Sequence, residues 1–433
     1  MSLLNHERRI VHMKVVYPVC CGIDVHKRFL VATIVSVTKM QTLSYKRERF
    51  STFNKNLQRL KHWLIENGCY DVCMESTGKY WVPVLNVLEP EMHVVIANPK
   101  WVRAVQGHKD DAKDSKWIAE LFCFGLVKGS FIPSKDIRIL REFTRYRAKL
   151  TNMRSSEKNR FQNGFTVCNI ALDAVVSDMF GTSAQRITKY LLTDKEPTAQ
   201  HCSSLLHRSL KKKAVAVVES IEGFQLTEEQ KFRMLQIRQH MEYLNAAIQV
   251  LDEKLDQMAA PYAAAIRLFC TIPGMGRESA LTILSEIGTD MTQFGSSKRL
   301  CSWAGLTPGN NQSAGKKKSV RITRAGVYIK PMLVQAAHAA VKCTRQPYYK
   351  VKYENIARRR GKKRAIIAIA RMILTAIYHM FKTGEVFCPT DLRQIDMPEE
   401  LKEKRRSRKI QNAIHLLKQQ GILSETFVAP TCA

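Results

Sequence analysis

The sequence predicts an α/β domain with a mixed sheet, followed by a largely α-helical remainder. Short apolar runs that alternate with amphipathic segments occupy the first third of the chain, and strand patterns end near residue 136. Strands that come first and then alternate with helices are typical of a layered α/β domain. The chain has 433 residues, which is enough for two or three domains. We therefore expect one sheet domain and at least one helical domain.

The elements of the first domain follow from its hydrophobic patterns. The run Val19–Val35 predicts two strands joined by a short turn at residues 26–28. The remaining elements alternate between strand and helix. They are strands at 41–50, 70–74 and 93–97 and helices at 54–67, 80–88, 101–106 and 111–124.

The rest of the chain predicts helices. Residues 136–171 and 228–258 contain no Pro, and apolar residues from Met234 to Leu255 recur at steps of three and four. That spacing gives one apolar stripe, as in a helical hairpin or a coiled coil. Residues 261–384 predict a further helical region, interrupted by a loop at 307–319. The predicted regions are an N-terminal extension (1–17), an α/β domain (18–135), a helical linker (136–262), a C-terminal domain (263–385) and a basic tail (386–433).

The charge of the chain indicates a polyanionic partner. Its 69 Lys and Arg residues face 38 Asp and Glu residues, for a formal net charge of +31. Self-repulsion at such a charge destabilises a compact state unless counterions or a polyanion offset it. Nucleic acid is favoured over an anionic membrane, because the charge is spread along the chain and not confined to one amphipathic helix.

The chain is expected to be cytoplasmic and not bound to a membrane. The most apolar stretch, 366–381, carries Arg371 and His379 and is shorter than the roughly 20 residues that a span needs. The N-terminus shows no continuous apolar core like that of a signal peptide. The twelve cysteines form no CxxC pair, which disfavours structural zinc and favours reduced thiols.

Four carboxylates predict a metal site. Asp24 lies inside an apolar strand, where a carboxylate is costly to bury unless it is paired or binds a cation. Glu75 follows a later strand, and the spacing of Asp111 and Asp114 allows both to face one side of a helical first turn. Clustered hard oxygen ligands suit Mg²⁺ or Mn²⁺, and two such ions serve phosphoryl transfer. The alternatives are local: Asp111 or Asp110 caps the helix, and Glu75 caps a turn.

Residues 269–288 predict a helix-hairpin-helix. The I-P-G-M-G turn contains Gly274 and Gly276 between two helical segments. Backbone N–H groups at such a helix N-terminus suit phosphate contact without base reading. An ordinary turn between two helices is the alternative.

The segment GLTPGNNQSAGKKKSVRITRAG at 305–326 places Ser313 in a loop beside a cationic cluster. A hydroxyl there could attack a phosphodiester while the cations stabilise the developing charge. Taken alone, Ser is a favoured turn residue, and the basic run would be a solvated or phosphate-binding face. The cations are Lys316, Lys317, Lys318, Arg321 and Arg324.

Taken in order, these motifs resemble the insertion-sequence one-ten family of DEDD transposases, which are RNA-guided serine recombinases. The motifs are GIDVHK, ESTG, DAKDSKWIAEL, IPGMG, GLTP and QSAGKK with RITRAG, and the resemblance covers about residues 19–384. It implies a RuvC-like, RNase H-type domain at 18–135, a coiled coil at 136–262 and a transposase domain at 263–385. It also implies a catalytic, metal-binding quartet and a serine nucleophile. By motif position these are Asp24, Glu75, Asp111 and Asp114, and Ser313.

The resemblance further implies donor DNA, target DNA and a structured guide RNA as partners, and a homo-oligomer (a dimer or tetramer) with its site formed across subunits. Recognition by base pairing explains a basic chain that shows no zinc finger and no obvious DNA-reading helix. The expected function is Mg²⁺-dependent movement of its own insertion sequence through a phosphoserine intermediate. Two alternatives remain open: a RuvC-like structure-specific endonuclease that uses water, and a non-catalytic RNA- or DNA-binding protein.

Overall fold

The computed structural model describes residues 14–38, 42–76, 78–99, 111–309, 311–313, 316–319 and 321–389, with isolated positions between 403 and 418. The chain forms two compact units, Met1–Ile132 and Pro133–Ala433. The predicted helix at 101–106, most of the N-terminal extension and most of the basic tail lie outside the described residues.

The first unit contains the predicted mixed sheet. Its five strands lie in the order β3-β2-β1-β4-β5. The central strand β1 pairs antiparallel with β2 and parallel with β4, while β4 and β5 are also parallel. The predicted strands are confirmed, with bounds shifted by a few residues. They are β1 (Val19–Val25), β2 (Phe29–Val37), β3 (Leu43–Ser51), β4 (Asp71–Glu75) and β5 (His93–Ala97).

Helices cover both faces of this sheet. The described helices are α1 (Asn54–Glu66), α2 (Trp81–Leu88) and α3 (Asp111–Cys123). Side chains alternate between faces along a strand, so Ile23 packs with the core of α1 and α2 while Cys20 packs with Ile118 and Phe122 of α3. Because both faces are covered, the strands that the sequence shows as continuous apolar runs are buried on both sides.

The second unit begins with a long helical hairpin. Its described helices up to residue 259 are α4 (Lys135–Val167), α5 (Leu172–Val175), α6 (Thr182–Thr193), α7 (Ala199–Ser204), α8 (Ala214–Glu219) and α9 (Glu228–Ala259). Helices α4 and α9 run antiparallel, since Arg147 pairs with Asp252 while Arg154 donates to Asn245. The predicted hairpin is therefore present. Helices α5–α8, which connect α4 to α9 in sequence, pack together with Phe161 of α4 and Met234 of α9.

The C-terminal part of this unit is mostly helical. It contains α10 (Ala263–Cys270), α11 (Arg277–Ile287), α12 (Ser297–Trp303), the strands β6 (Asn311–Ser313) and β7 (Lys316–Ser319), then α13 (Ile329–Lys342), α14 (Tyr348–Arg360) and α15 (Lys362–Thr383). Among the described residues, α15 is the one helix long and apolar enough to cross a membrane, by length and composition. Half of its most apolar window is buried inside the unit, which is typical of a core helix.

The structure corrects one prediction in this region. The segment 307–319, predicted as an interrupting loop, contains the antiparallel β6–β7 hairpin. The sequences Asn-Gln-Ser and Lys-Lys-Lys-Ser lack the apolar alternation that predicts a strand, so periodicity could not reveal the hairpin.

Candidate active site

Asp24 lies on the central strand and is almost fully buried. Its exposed fraction is 8%, and it pairs across β1–β2 with Val31. The Nε2 atom of His26, at the following turn, lies 3.0 Å from Asp24 Oδ2. A polar partner of this kind offsets part of the cost of burying a carboxylate. The sequence predicted the unusual acid but did not identify His26 as its partner.

Helix α3 packs directly on β1 next to this carboxylate. A Cβ atom at Gly22 would lie 2.3 Å from the backbone nitrogen of Ala119 and 2.3 Å from the carbonyl oxygen of Ser115, so only glycine allows this approach. The Cys20 thiol donates to the Ala119 carbonyl at 3.5 Å. Cys20 therefore contacts Ala119, and Gly22, two residues closer to Asp24, also contacts Ser115, which is one turn closer to the N-terminus of α3.

This packing brings the beginning of α3 to the level of Asp24. Two residues of a strand span about 6.6 Å and four residues of a helix span about 6 Å. Each two residues along β1 therefore correspond to about one turn of α3. Position 111 precedes Ser115 by one turn on the same helical face, and the Ser115 hydroxyl lies 2.7 Å from that of Thr33 on β2. Asp114 is half-buried. The side chain of Asp111 and the whole of Asp110 lie outside the described residues.

Glu75 ends the neighbouring parallel strand. The β1–β4 pairing ends at Ile23 and Met74, and Asp24 and Glu75 are the next residues of the two strands. Cys73, two residues earlier on β4, packs with the α3 core, so Glu75 belongs to the same sheet face as Asp24. The carboxyl ends of parallel strands are where open α/β sheets bind ligands. Asp24 and Glu75 thus lie at the same end of two neighbouring strands, on the sheet face that α3 covers.

The donor set at this edge fits a hard divalent cation. Asp24, Glu75 and Asp114 all offer carboxylate oxygens, the ligands that Mg²⁺ prefers. Among the described side chains, no three His, Cys, Asp or Glu residues approach closely enough to hold a metal ion. The predicted quartet includes Asp111, whose side chain is not described, so the metal assignment stays a prediction.

In the second unit, Ser313 lies at the end of a short hairpin strand. It pairs with Lys316, the first residue of β7. Further from the turn, the Gly309 amide donates to the Arg321 carbonyl at 2.9 Å and Pro308 bridges Ile322. The structure describes the backbone of these strands but not the side chains of residues 311–319.

Two glycines of the same motif fix the base of the hairpin. Gly305 and Gly326 have φ values of +71° and +69°, in the left-handed region that favours glycine. A Cβ atom at Gly305 would lie 2.4 Å from the Ala325 carbonyl oxygen, and one at Gly326 would lie 2.2 Å from that of Ala304. The two ends of the motif therefore touch backbone to backbone.

The cations after β7 are exposed, and one further lysine supports them. Arg321 and Arg324 are both exposed. The Lys330 ammonium donates to the Thr323 carbonyl at 2.7 Å, and burial lowers the pKa of Lys330. Sequence reasoning missed this contact, because Lys330 follows the motif and resembles any other surface lysine.

The predicted helix-hairpin-helix turn connects α10 to α11, and its two glycines differ. Gly274, with φ of +77°, faces α13, since a Cβ atom there would lie 2.2 Å from the Ala340 nitrogen. Gly276 is exposed at the start of α11, and a Cβ atom there would meet nothing within 4 Å. Gly274 therefore packs helices together, and Gly276 is the glycine that an outside ligand can approach.

An ion pair between a buried carboxylate and a partly exposed arginine attaches α11 to the long helix α4. Arg145 donates from Nε and Nη2 to both carboxylate oxygens of Glu286, at 2.7 and 2.8 Å. Arg141 donates to the Ser285 carbonyl at 3.0 Å, and burial lowers the pKa of Arg141 to about 10. Bidentate arginine–carboxylate pairs fix orientation as well as contact. Sequence reasoning missed this network, and the acid Glu286 within helix 277–287 is the signal that could have indicated it.

Comparisons with known proteins match two stretches of the chain. A sequence model of the DEDD transposases of the IS110 type matches residues 21–169, and one of the IS116/IS110/IS902 transposase family matches residues 266–354. The first match begins within β1 and contains β2 to β5 and α3, and the second contains α11, the β6–β7 hairpin and α13.

Two curated bacterial relatives are similar over shorter stretches. The transposase for insertion sequence element IS1111A of Coxiella burnetii is 28% identical over 120 residues, which is 27% of this chain and 33% of the relative. The y4pF/y4sB protein of Sinorhizobium fredii, also named for a transposase, is 29% identical over 152 residues, or 34% and 39% of the two chains. The chain thus spans a third to two fifths of these relatives. Since the two family models together match more than half of the chain, in the predicted order, it belongs to the IS110 family of transposases.

Proposed function

We propose that this protein cuts and rejoins DNA to move its own insertion sequence, guided by a noncoding RNA that the element encodes. The observation that supports the proposal is the nearly complete burial of the Asp24 carboxylate on the central strand, beside a parallel strand that ends at Glu75 and below helix α3, which contacts the strand at Gly22. Membership of a transposase family supports the reaction class. A purely structural role would not require a carboxylate on a central strand.

The fold is consistent with a different role for the α/β unit, the α4–α9 hairpin and the C-terminal helical part. The strand order and the mixed pairing of Met1–Ile132 are consistent with a RuvC-like, RNase H-type domain. The antiparallel α4–α9 hairpin would be the coiled-coil connector. The part from α10 onward would be the transposase domain, with α10 and α11 as its helix-hairpin-helix.

The chemistry assigns roles to the residues of each region. Asp24, Glu75, Asp111 and Asp114 would hold Mg²⁺ or Mn²⁺, which when bound supplies Lewis-acid stabilisation of the phosphoryl oxygens. The Ser313 hydroxyl attacks phosphorus, so that a serine–phosphorus ester forms as a phosphodiester P–O bond breaks and the leaving oxygen gains a proton. The cations would neutralise developing charge. They are Lys316, Lys317, Lys318, Arg321 and Arg324.

The proposed partners follow from charge and family. Donor and target DNA are the substrates, a structured RNA provides the guide, and a cytoplasmic homo-oligomer completes the site. With a net charge of +31, binding is expected to weaken steeply with salt, by roughly 10³ to 10⁵ between 50 and 200 mM for about six to ten neutralised phosphates. Sequencing of RNA that copurifies with the protein tests the guide, and a preparation without specific RNA would contradict it.

The nucleophile is tested on a denaturing gel of labelled DNA. Ser313→Ala should lose both cleavage and the covalent protein–DNA adduct, while Ser319→Ala on the same hairpin should keep both. Mass spectrometry of the adducted peptide should identify Ser313. An adduct at another residue would refute the assignment. Normal cleavage by Ser313→Ala would favour the water-using endonuclease, whereas a wild type that binds nucleic acid and cleaves none would favour the non-catalytic binding protein.

A further inference from the structure

Helices α14 and α15, with the residues just before them, carry a concentration of positive charge that the catalytic proposal does not use. Between residues 342 and 383 there are twelve Lys and Arg residues and a single acid, Glu354. Glu354 lies 4.0 Å from Lys350 on the same helix. Charge of one sign with so little compensation is typical of a surface that contacts a polyanion.

Half of this charge lies at the junction between α14 and α15. Six cations flank Gly361, and all are exposed. Among the described residues, the side chains of these six form no ion pair and no hydrogen bond. They are Arg358, Arg359, Arg360, Lys362, Lys363 and Arg364.

A polar strip continues from this junction along one face of α15. Arg364, Ala368, Arg371, Thr375 and His379 follow one another at steps of three or four, so they lie on one face of the helix. Arg364 and Arg371 are separated by seven residues, or about 10 Å along the axis. The opposite face of α15 is buried in the core, including Ile369, Ile373 and Ile377.

The strip forms one wall of a cavity of about 830 Å³. Ala368, Arg371, Thr375 and His379 belong to that wall, and an aromatic group that includes Tyr348, Tyr349 and Phe387 also lines the cavity. The Phe387 amide donates to the Thr271 hydroxyl at 3.0 Å, which holds this rim in place. Glu385 is the acid among the lining residues.

We propose that this face, the α15 strip with its cavity, binds single-stranded nucleic acid and takes an unpaired base into the cavity. Proteins that bind single strands combine a cationic groove along the backbone with apolar and aromatic surfaces for the bases. The volume falls in the range of small-molecule sites, which accommodates a nucleotide. A duplex keeps its bases stacked and can use only the cations. The lining residues include neither Ser313 nor the predicted metal ligands, and the inference rests on the proposed function only for the nature of the partner.

Equilibrium binding of the 433-residue chain tests this inference without metal and therefore without cleavage. Fluorescence anisotropy would use a labelled single-stranded RNA, a single-stranded DNA of the same sequence and the matching DNA duplex. Ala368→Phe fills the cavity without changing charge. It should weaken single-strand binding by about 5- to 100-fold, the range expected when a base loses its contacts, and leave duplex binding within about twofold.

A charge variant tests the strip separately. Arg371→Gln should weaken the binding of all three ligands. It should also lower the slope of log affinity against log salt concentration by about one, because it removes one phosphate contact. Lys254→Gln removes another exposed cation, on α9, and should leave single-strand binding unchanged. Preference for RNA would identify the guide as the source of the base and preference for DNA would identify the substrate, and either preference supports the site.

The inference would be overturned if Ala368→Phe, shown by circular dichroism to be folded, bound single strands like the wild type. It would also be overturned if Ala368→Phe weakened the duplex as much as the single strand. If Ala368→Phe does not fold, a single-stranded oligonucleotide that carries 2-aminopurine is bound to the wild type and to Arg371→Gln instead. Insertion of the base into the cavity predicts a change in 2-aminopurine fluorescence with the wild type and a smaller change with Arg371→Gln. If the wild type bound no nucleic acid at all, the proposed function itself would fail. If only the cavity proposal were wrong, the wild type would still bind and cleave DNA.

Discussion

The two units hold their candidate catalytic residues in different ways. Asp24 and Glu75 lie on neighbouring strands whose pairing is repeated over four residues and covered by helices on both faces. Ser313 lies on a three-residue strand whose position depends on the backbone contacts of Gly305 and Gly326. The acids are thus positioned by a redundant core, and the serine by a few irreplaceable contacts at the base of a hairpin.

This contrast predicts that the acids can be changed with little effect on folding. Asp24→Asn preserves the shape of the side chain but removes a charged ligand, so we expect cleavage to fall by more than about 1,000-fold while nucleic-acid binding persists. Cleavage and electrophoretic binding assays on the same preparation measure the two effects. Full cleavage by this variant with Mg²⁺ present would contradict the metal-site assignment.

The sheet provides a matched control at its opposite edge. Asp71 begins β4 and lies 2.8 Å from His93 Nδ1, so it too is an aspartate paired with a histidine. Asp71→Asn should cleave DNA like the wild type, because it lies at the amino end of the parallel strands. Equal losses in Asp24→Asn and Asp71→Asn would show that the effect comes from the sheet and not from a site.

A smaller effect is expected for the histidine beside the acid. His26 lies 3.0 Å from Asp24, so His26→Gln should loosen the orientation of that carboxylate and lower cleavage by about 10- to 100-fold, as partners of metal ligands do. The Mg²⁺ concentration required for half-maximal activity should rise as well. His93→Gln is the control, and a His26→Gln variant with unchanged metal dependence would restrict His26 to a structural role.

Much of the first unit could be predicted from sequence, because its signals are local. Apolar runs predicted the strands, and the cost of burying a carboxylate marked Asp24 as exceptional from the sequence alone. The partner His26 and the close approach at Gly22 could not be predicted, since both depend on which elements pack together. The β6–β7 hairpin was missed for a different reason: its strands are polar, and glycine contacts with Ala325 and Ala304 shape it in place of a hydrophobic face.

The smallest expected effect concerns the packing of α3 against β1. Gly22 has an ordinary backbone conformation, so Gly22→Ala is disfavoured by space alone: its new Cβ would lie 2.3 Å from backbone atoms of α3. Since a helix backbone cannot give way as a flexible side chain does, α3 must shift, at a cost of about 1–3 kcal/mol in the free energy of unfolding. Thermal denaturation should show a lower Tm for Gly22→Ala, and cleavage should fall with it, because α3 carries positions 111 and 114. Gly276→Ala, where a Cβ atom would meet nothing within 4 Å, should leave the Tm nearly unchanged. Equal stability of the two variants would mean that α3 is free to move away from β1, and the acids would then not be held by the redundant core that distinguishes them from Ser313.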